Sequence, residues 1–140
     1  MASEIFIDTS GFYALLVKGD DCHSRAVEFM HRASKNEQRF VTTDYVLDET
    51  ATLLKARAKR GVVSRFFESV FASRACRMVW MDGDRFDRTR ALFLKNLENR
   101  WSLTDCTSFV VMKELRLREA LTKDQHFRAA GFVALLVPAR

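Results

Sequence analysis

The sequence has few of the residues that interrupt regular structure, with one proline and five glycines among 140 residues. That scarcity argues against an all-β fold built on many tight turns and against disordered segments. No apolar run approaches the roughly 20 residues that a transmembrane helix needs. The N-terminal residues lack the positively charged region of a signal peptide, so we expect none.

Cysteine is also scarce. The three cysteines are odd in number and widely spaced, which argues against a disulfide framework and against a zinc site. We expect Cys22, Cys76 and Cys106 to be reduced thiols in the core of a cytoplasmic protein.

Hydrophobic and charged residues are present in the proportions of a globular protein, 48% and 29%. The length fits a single domain over residues 1–140 with a sizeable core, to which twelve phenylalanines contribute. The formal net charge of +5 is compatible with a nucleic-acid partner but does not establish one.

Short apolar segments alternate along the chain with longer segments of helical periodicity. This alternation is typical of a parallel sheet covered by helices on both faces. The sequence therefore predicts an α/β fold, a three-layer α/β/α sandwich with a mostly parallel sheet of about five strands. The predicted strands are residues 5–7, 40–43, 76–81, 119–122 and 132–137. The predicted helices are residues 11–17, a segment capped by Asp21, then 44–60, 62–73, 85–97 and 103–115, followed by one turn around His126. We expect Asp44 to begin the helix over residues 44–60 and to cap it.

Two aspartates stand just beyond predicted strands. Asp8 follows residues 5–7, and Asp124 follows residues 119–122. In open α/β sheets, ligands bind beyond the carboxyl ends of the strands, so each aspartate is a candidate for metal binding or catalysis. The alternative is that Asp8 caps the next helix by accepting its free N–H groups. If Asp8 is instead a ligand, Thr9 and Ser10 take the capping role.

Two further acids lie on the inward faces of predicted helices. At 100° per residue, Glu49 lies about 40° from Leu53, whereas Asp48 lies about 140° from Leu53 on the outer face. Asp105 lies about 40° from Phe109, in a first helical turn where the helix dipole also favours negative charge. A carboxylate at a buried margin is costly unless it is paired or bound to a metal.

Four carboxylates at one place would repel one another and raise each other's pKa, and a divalent cation removes that cost. Mg²⁺ and Mn²⁺ prefer oxygen ligands. A metal held in this way promotes the attack of water on a phosphodiester. In a basic protein, the combination indicates cleavage of a nucleic acid.

Basic residues are concentrated between Thr50 and Phe67, where no acidic residue occurs. They form either a solvated helix face or a surface that contacts phosphates. Trp101 likewise either stacks on a base or packs in the core. The candidate RNA contacts are Lys55, Arg57, Lys59 and Arg100.

Four motifs follow one another along nearly the whole chain. They are Phe6-Ile7-Asp8-Thr9-Ser10 with Tyr13-Ala14-Leu15, then Thr42-Thr43-Asp44-Tyr45-Val46-Leu47-Asp48-Glu49-Thr50, then Trp101-Ser102-Leu103-Thr104-Asp105-Cys106-Thr107-Ser108-Phe109, and finally Ala120-Leu121-Thr122-Lys123-Asp124-Gln125-His126-Phe127 with Gly131-Phe132. This ordered set resembles the PIN-domain family, in particular the VapC-type ribonuclease toxins.

The resemblance implies a Mg²⁺- or Mn²⁺-dependent endoribonuclease. The acids to which it assigns metal binding and catalysis are Asp8, Glu49, Asp105 and Asp124. Thr9 or Ser10 would orient Asp8 or a water molecule. The resemblance also implies a homodimer and, for a toxin of a type II pair, an antitoxin whose tail occupies the active-site groove. His126, two positions after Asp124, could approach a phosphate or act as an acid, but we expect it to be a structural or surface residue because a metal-activated water needs no histidine.

The sequence departs from the family where Leu115-Arg116-Leu117 follows the Asp105 helix. Similar sequences often have glycine there, which adopts the left-handed capping conformation without the cost that arginine incurs. Two other functions stay open: a non-catalytic RNA- or protein-binding module of the same fold, and a metal-dependent DNA nuclease or phosphatase.

Overall fold

The predicted strands form one sheet in which every strand pair is parallel. The computed structural model describes residues 4–57 and 59–138. The strands are β1 Ile5–Ile7, β2 Phe40–Thr43, β3 Cys76–Val79, β4 Glu119–Leu121 and β5 Val133–Ala134, in the spatial order β3-β2-β1-β4-β5. The predicted five-stranded parallel sheet is therefore confirmed, with β1 at its centre.

Seven helices flank this sheet in the described part of the chain. They are α1 Thr9–Leu16, α2 His23–Lys35, α3 Asp44–Ala56, α4 Arg60–Ala72, α5 Gly83–Lys95, α6 Leu103–Glu114 and α7 Gln125–Ala129. Strands β1 and β2 are buried along their whole length, as expected for parallel strands with both faces covered. Within residues 4–57 and 59–138, no helix combines the length and the apolar character needed to cross a membrane.

An aromatic cluster joins the centre of the sheet to α6 and α7. Phe127 packs against Phe6 with ring centroids 6.3 Å apart and edge-on against Phe109 at 5.0 Å. Trp101 packs edge-on against Phe109 at 5.1 Å, as its core-packing interpretation predicts. Burying each phenylalanine is worth about 2 to 3 kcal/mol. The cluster thus fixes the elements that carry three of the four candidate acids.

Gly11 allows α1 to approach β4 closely. A Cβ atom at this position would lie 2.0 Å from the carbonyl oxygen of Leu121, and no side chain can occupy that space. The approach sets the first turn of α1 beside the end of β4. It therefore brings Asp8 next to the residues that follow Leu121.

Helix α6 ends at the departure from the family pattern. Arg116 has a φ of 58°, in the left-handed region. The N–H of Leu117 donates to the carbonyl of Met112 at 2.8 Å, and that of Arg116 to the carbonyl of Lys113 at 3.2 Å. These two bonds define a Schellman cap, in which glycine is usual. Arg116 therefore takes the capping position that glycine often occupies in similar sequences.

Several predicted boundaries are wrong. Helix α3 ends at Ala56 and α4 begins at Arg60, so the break precedes Gly61; Ala58 lies outside the described residues. Strand β5 spans two residues instead of residues 132–137, because the chain turns after Ala134, whose carbonyl accepts the N–H of Val137 at 3.2 Å.

Two predicted caps are also wrong. Thr43 caps α3 by accepting the N–H of Val46 at 3.1 Å, whereas Asp44 accepts the N–H of Met81 at 2.9 Å. Helix α2 begins at His23 without a side-chain cap, so Asp21 does not cap it.

Candidate metal centre

The four candidate acids line one cavity of about 410 Å³ at the carboxyl edge of the sheet. Strands β1 and β4 are neighbours, with Ile7 paired to Leu121, so the residues that follow them leave the sheet side by side. The acids in the lining are Asp8, Glu49, Asp105 and Asp124. The structure brings the four together, while their metal-binding role stays a prediction.

Asp8 is both a helix cap and a buried part of the cavity, with 7% of its surface exposed. Its Oδ1 accepts the N–H of Gly11 at 3.0 Å and the hydroxyl of Ser10 at 2.9 Å. Its Oδ2 accepts the hydroxyl of Thr122 at 2.8 Å. The cap of α1 is therefore Asp8, and the expectation that Thr9 and Ser10 take that role is wrong.

Burial raises the pKa of Asp8 from 3.8 to about 7. The hydrogen bonds from Gly11, Thr122 and Ser10 oppose this rise because they favour the charged carboxylate, while the charge of Asp124 adds to it. Asp8 thus lies in a place where a bare negative charge is costly.

Ser10 and Thr122 connect the carboxylate of Asp8 to the backbone of Asp124. The hydroxyl of Thr122 accepts the N–H of Asp124 at 3.0 Å. The hydroxyl of Ser10 lies 3.1 Å from the Thr122 hydroxyl. Ser10 also accepts the N–H of Lys123 at 2.9 Å. Sequence reasoning missed Thr122, although its place two residues before Asp124 at the end of a strand was a usable signal.

Glu49 is half-buried on the inner side of α3, and its neighbour Asp48 is exposed, as the helical spacing predicts. The hydroxyl of Thr9 donates to Oε1 of Glu49 at 2.6 Å. Thr50 in turn donates to the carbonyl of Val46 at 2.7 Å and contacts the Thr9 hydroxyl at 3.3 Å. The buried threonines hold Glu49 in one position at the cavity wall.

Asp105 forms a capping box with Ser102 at the start of α6. The Ser102 hydroxyl accepts the N–H of Asp105 at 2.9 Å, and Oδ2 of Asp105 accepts the N–H of Ser102 at 3.0 Å. Burial raises the pKa of Asp105, the hydrogen bond from Ser102 opposes this rise, and the charge of Asp124 adds to it.

Three of the acids both stabilise the start of a helix and line the cavity. Asp8, Asp105 and Asp124 each accept a backbone N–H at the start of a helix, and each lines the cavity. A carboxylate at a helix N-terminus gains about 0.3 to 1 kcal/mol from the helix dipole. Capping orients these carboxylates and leaves oxygen lone pairs for a further ligand.

His126 contacts two of the acids, Asp105 and Asp124, which the sequence did not predict. Its Nδ1 is 3.2 Å from Oδ2 of Asp105 and 3.3 Å from Oδ1 of Asp124. The contact with Asp105 spans 21 positions of sequence. It depends on the packing of α6 against α7, which no local pattern reveals.

Of the predicted RNA contacts, Arg57 lies at the cavity. Its guanidinium carbon is 4.9 Å from the ring centroid of Tyr13, and both side chains belong to the lining. Lys59 borders a neighbouring depression that also includes Arg57 and Tyr13. Lys55 lines a separate depression between α3 and α4, and Arg100 is exposed before α6.

The donor set fits a hard divalent cation. All four acids offer carboxylate oxygens, which Mg²⁺ and Mn²⁺ prefer. A cation also offsets the burial that raises the pKa of Asp8 and Asp105, since it favours the charged forms. Lys123, a cationic side chain of the lining, pairs instead with Asp20 at 2.9 Å and Asp21 at 3.0 Å.

Comparison with known proteins identifies the family of the chain. The PIN domain matches residues 5–133. The 23S rRNA-specific endonuclease VapC20 of Mycobacterium tuberculosis is 34% identical over 130 residues, which are 92% of this chain and 95% of that protein. A VapC ribonuclease of Archaeoglobus fulgidus is 30% identical over 114 residues, which are 80% of this chain and 72% of that protein. The chain belongs to the PIN-domain family.

Two solved structures have a fold similar to that of this chain. The crystal structure of Mycobacterium tuberculosis VapC20, described as a sarcin-ricin-loop-cleaving toxin, matches with a TM-score of 0.81 and 30% identity over 93% of this chain and 97% of that chain. A protein of Pyrobaculum aerophilum matches with a TM-score of 0.67 over 96% of this chain and 85% of that chain, and at 17% identity it shows the fold alone.

Proposed function

We propose that this protein is a divalent-metal-dependent endoribonuclease of the VapC type, the toxin of a type II toxin–antitoxin pair. The observation that carries the proposal is the convergence of four carboxylates from separate parts of the chain on one cavity. Relatives that match along most of the chain are named as an endonuclease and a ribonuclease, which supports the same reaction class.

In this proposal the four acids hold Mg²⁺ or Mn²⁺. The metal, when bound, polarises the phosphoryl group and lowers the pKa of water. Ser10 and Thr122 hold Asp8 in one orientation, and Thr9 holds Glu49. Hydrolysis adds water across the bond between phosphorus and the 3′-oxygen, so the products carry a 5′-phosphate and a 3′-hydroxyl.

The substrate strand would lie along the basic side of the cavity. Arg57 is fixed over Tyr13 at the cavity wall, and Lys59 continues the positive charge into the neighbouring depression. Lysine and arginine side chains attract the phosphates of a nucleic acid without reading its sequence. Because one relative is named as 23S rRNA-specific, ribosomal RNA is the first substrate class that we propose to test.

The proposal includes a homodimer, an antitoxin partner and a cytoplasmic location. Phe67 and Phe71 on α4 are exposed and stacked with ring centroids 6.4 Å apart. Adjacent exposed aromatic side chains are typical of protein–protein interfaces. The free thiols of Cys22, Cys76 and Cys106 are consistent with a reducing compartment.

Glu49→Gln and its exposed neighbour Asp48→Asn form a matched pair for the test. Purified wild type and both variants are incubated with 23S rRNA fragments and with DNA of the same sequence, in Mn²⁺ and in chelator. We expect wild type and Asp48→Asn to cut RNA only with metal, and Glu49→Gln to be slower by roughly 100-fold or more.

Equal cleavage by wild type and Glu49→Gln would refute the proposed active site. Preferential cleavage of DNA would replace the proposal with a DNA nuclease. Binding of RNA without cleavage, and without any change of melting temperature on addition of metal, would replace it with a binding module.

A further inference from the structure

His126 lies against two of the four carboxylates, those of Asp105 and Asp124. His126, Asp105 and Asp124 each offer one possible ligand atom, and these three atoms lie within 4.8 Å of one another. We propose that Nδ1 of His126 is a metal ligand, and that it gives the centre a preference for a divalent transition metal such as Mn²⁺ over Mg²⁺. This inference rests on the metal-dependent function proposed above.

The distances match a set of neighbouring ligands. Adjacent ligands of an octahedral ion with bonds of about 2.1 Å are about 3.0 Å apart. Nδ1 of His126 lies 3.2 Å from Oδ2 of Asp105 and 3.3 Å from Oδ1 of Asp124. A hydrogen on Nδ1 is a single donor that two acceptors would have to share. A cation contacts both oxygens and the nitrogen at once.

Both carboxylate oxygens are held in place by the backbone. Oδ2 of Asp105 accepts the N–H of Ser102 at 3.0 Å, and Oδ1 of Asp124 accepts the N–H of His126 itself at 2.8 Å. Each oxygen has a second lone pair available for a metal. The three donor atoms are thus positioned by the starts of α6 and α7 before any ion binds.

The nitrogen donor changes which metal the site prefers. Mg²⁺ favours oxygen ligands and keeps several of its waters, whereas imidazole is a common ligand of transition metals. Mn²⁺ accepts carboxylates readily and stands within the transition series, so it suits a mixed set. The side chains of His126 and Asp124 are 34% and 32% exposed, which leaves the ion open to water and to a phosphate oxygen.

The test uses the full chain without RNA. Pulsed electron paramagnetic resonance of bound Mn²⁺ reports whether a ¹⁴N nucleus is coordinated, and calorimetric titration gives the affinities for Mn²⁺ and Mg²⁺. The proteins are wild type, His126→Ala and the control His31→Ala, since His31 is exposed on α2. We expect a ¹⁴N coupling in wild type and in the control that is lost in His126→Ala.

The affinities for Mn²⁺ and Mg²⁺ should also distinguish His126→Ala from wild type. His126→Ala should weaken Mn²⁺ binding by about tenfold or more and Mg²⁺ binding by less than about threefold. A wild type without ¹⁴N coupling, a coupling that persists in His126→Ala, or an equal loss for both metals would overturn the inference. Because the wild-type spectrum needs no variant, the test stands even if the substitution impairs folding. RNA cleavage by a protein without the ¹⁴N coupling would overturn this inference and leave the proposed function intact. The ¹⁴N coupling in a protein that does not cleave RNA would refute the proposed function and leave this inference intact.

Discussion

Replacing Asp8 by asparagine should stabilise the protein when divalent metal is removed. Burial raises the pKa of this carboxyl from 3.8 to about 7. Between these values the folded state binds more protons than the unfolded state, so stability falls as the pH rises through this window. Each pKa unit corresponds to about 1.36 kcal/mol, so an ionised Asp8 costs at most about 4 kcal/mol above pH 7.

The hydrogen bonds around Asp8 can accommodate the amide. An asparagine Oδ1 can accept the bonds from Gly11 and Ser10 that Oδ1 of Asp8 accepts now. Its Nδ2 would donate to Thr122, whose hydroxyl can turn to donate to Ser10, 3.1 Å away. Asparagine is also as good a helix N-cap as aspartate. The substitution thus removes the buried charge with little other loss.

The assay is urea unfolding of wild type and Asp8→Asn in chelator between pH 4 and pH 8. We expect Asp8→Asn to be more stable by about 2 to 4 kcal/mol at pH 8 and equal to wild type within about 1 kcal/mol at pH 4. Adding Mn²⁺ at pH 8 should stabilise wild type and not the variant. A difference that does not change with pH, or a variant less stable than wild type at pH 8, would refute the reasoning.

Two further predictions concern stability away from the carboxylates. Gly11→Ala should lower the free energy of unfolding by about 3 kcal/mol, because the Cβ of the alanine would clash with the backbone of β4. An unchanged melting temperature would contradict the close approach of α1 to β4. Arg116→Gly should raise the free energy of unfolding by about 1 kcal/mol, because glycine adopts the left-handed cap conformation without strain. The control Arg116→Ala should not raise it. Equal effects of the two substitutions in urea unfolding would contradict this account.

Local patterns were sufficient for much of the candidate site. The apolar segment before Asp8 predicts a strand that ends at Ile7, and helical spacing separates inward Glu49 from exposed Asp48. These features depend on a few neighbouring residues. The alternation of strand and helix segments predicted the parallel sheet that brings the acids together, and the order of the motifs along the chain indicated the family.

Two of the features that sequence patterns do not reveal depend on contacts between distant segments. The carboxylate of Asp44 accepts the N–H of Met81 instead of capping α3, and His126 contacts Asp105 across the interface of α6 and α7. The strand prediction for residues 132–137 was too long because hydrophobicity does not show where the chain turns. For Asp8, the sequence presents capping and ligand binding as alternatives, whereas the geometry allows both.

The most direct test of the central claim is a map of new RNA 5′ ends in cells that express wild type or Asp8→Asn at matched protein levels. The proposed mechanism predicts discrete new ends with 5′-phosphates, first of all in ribosomal RNA, in the wild-type cells alone. The same ends in both cell populations, or none in either, would contradict it.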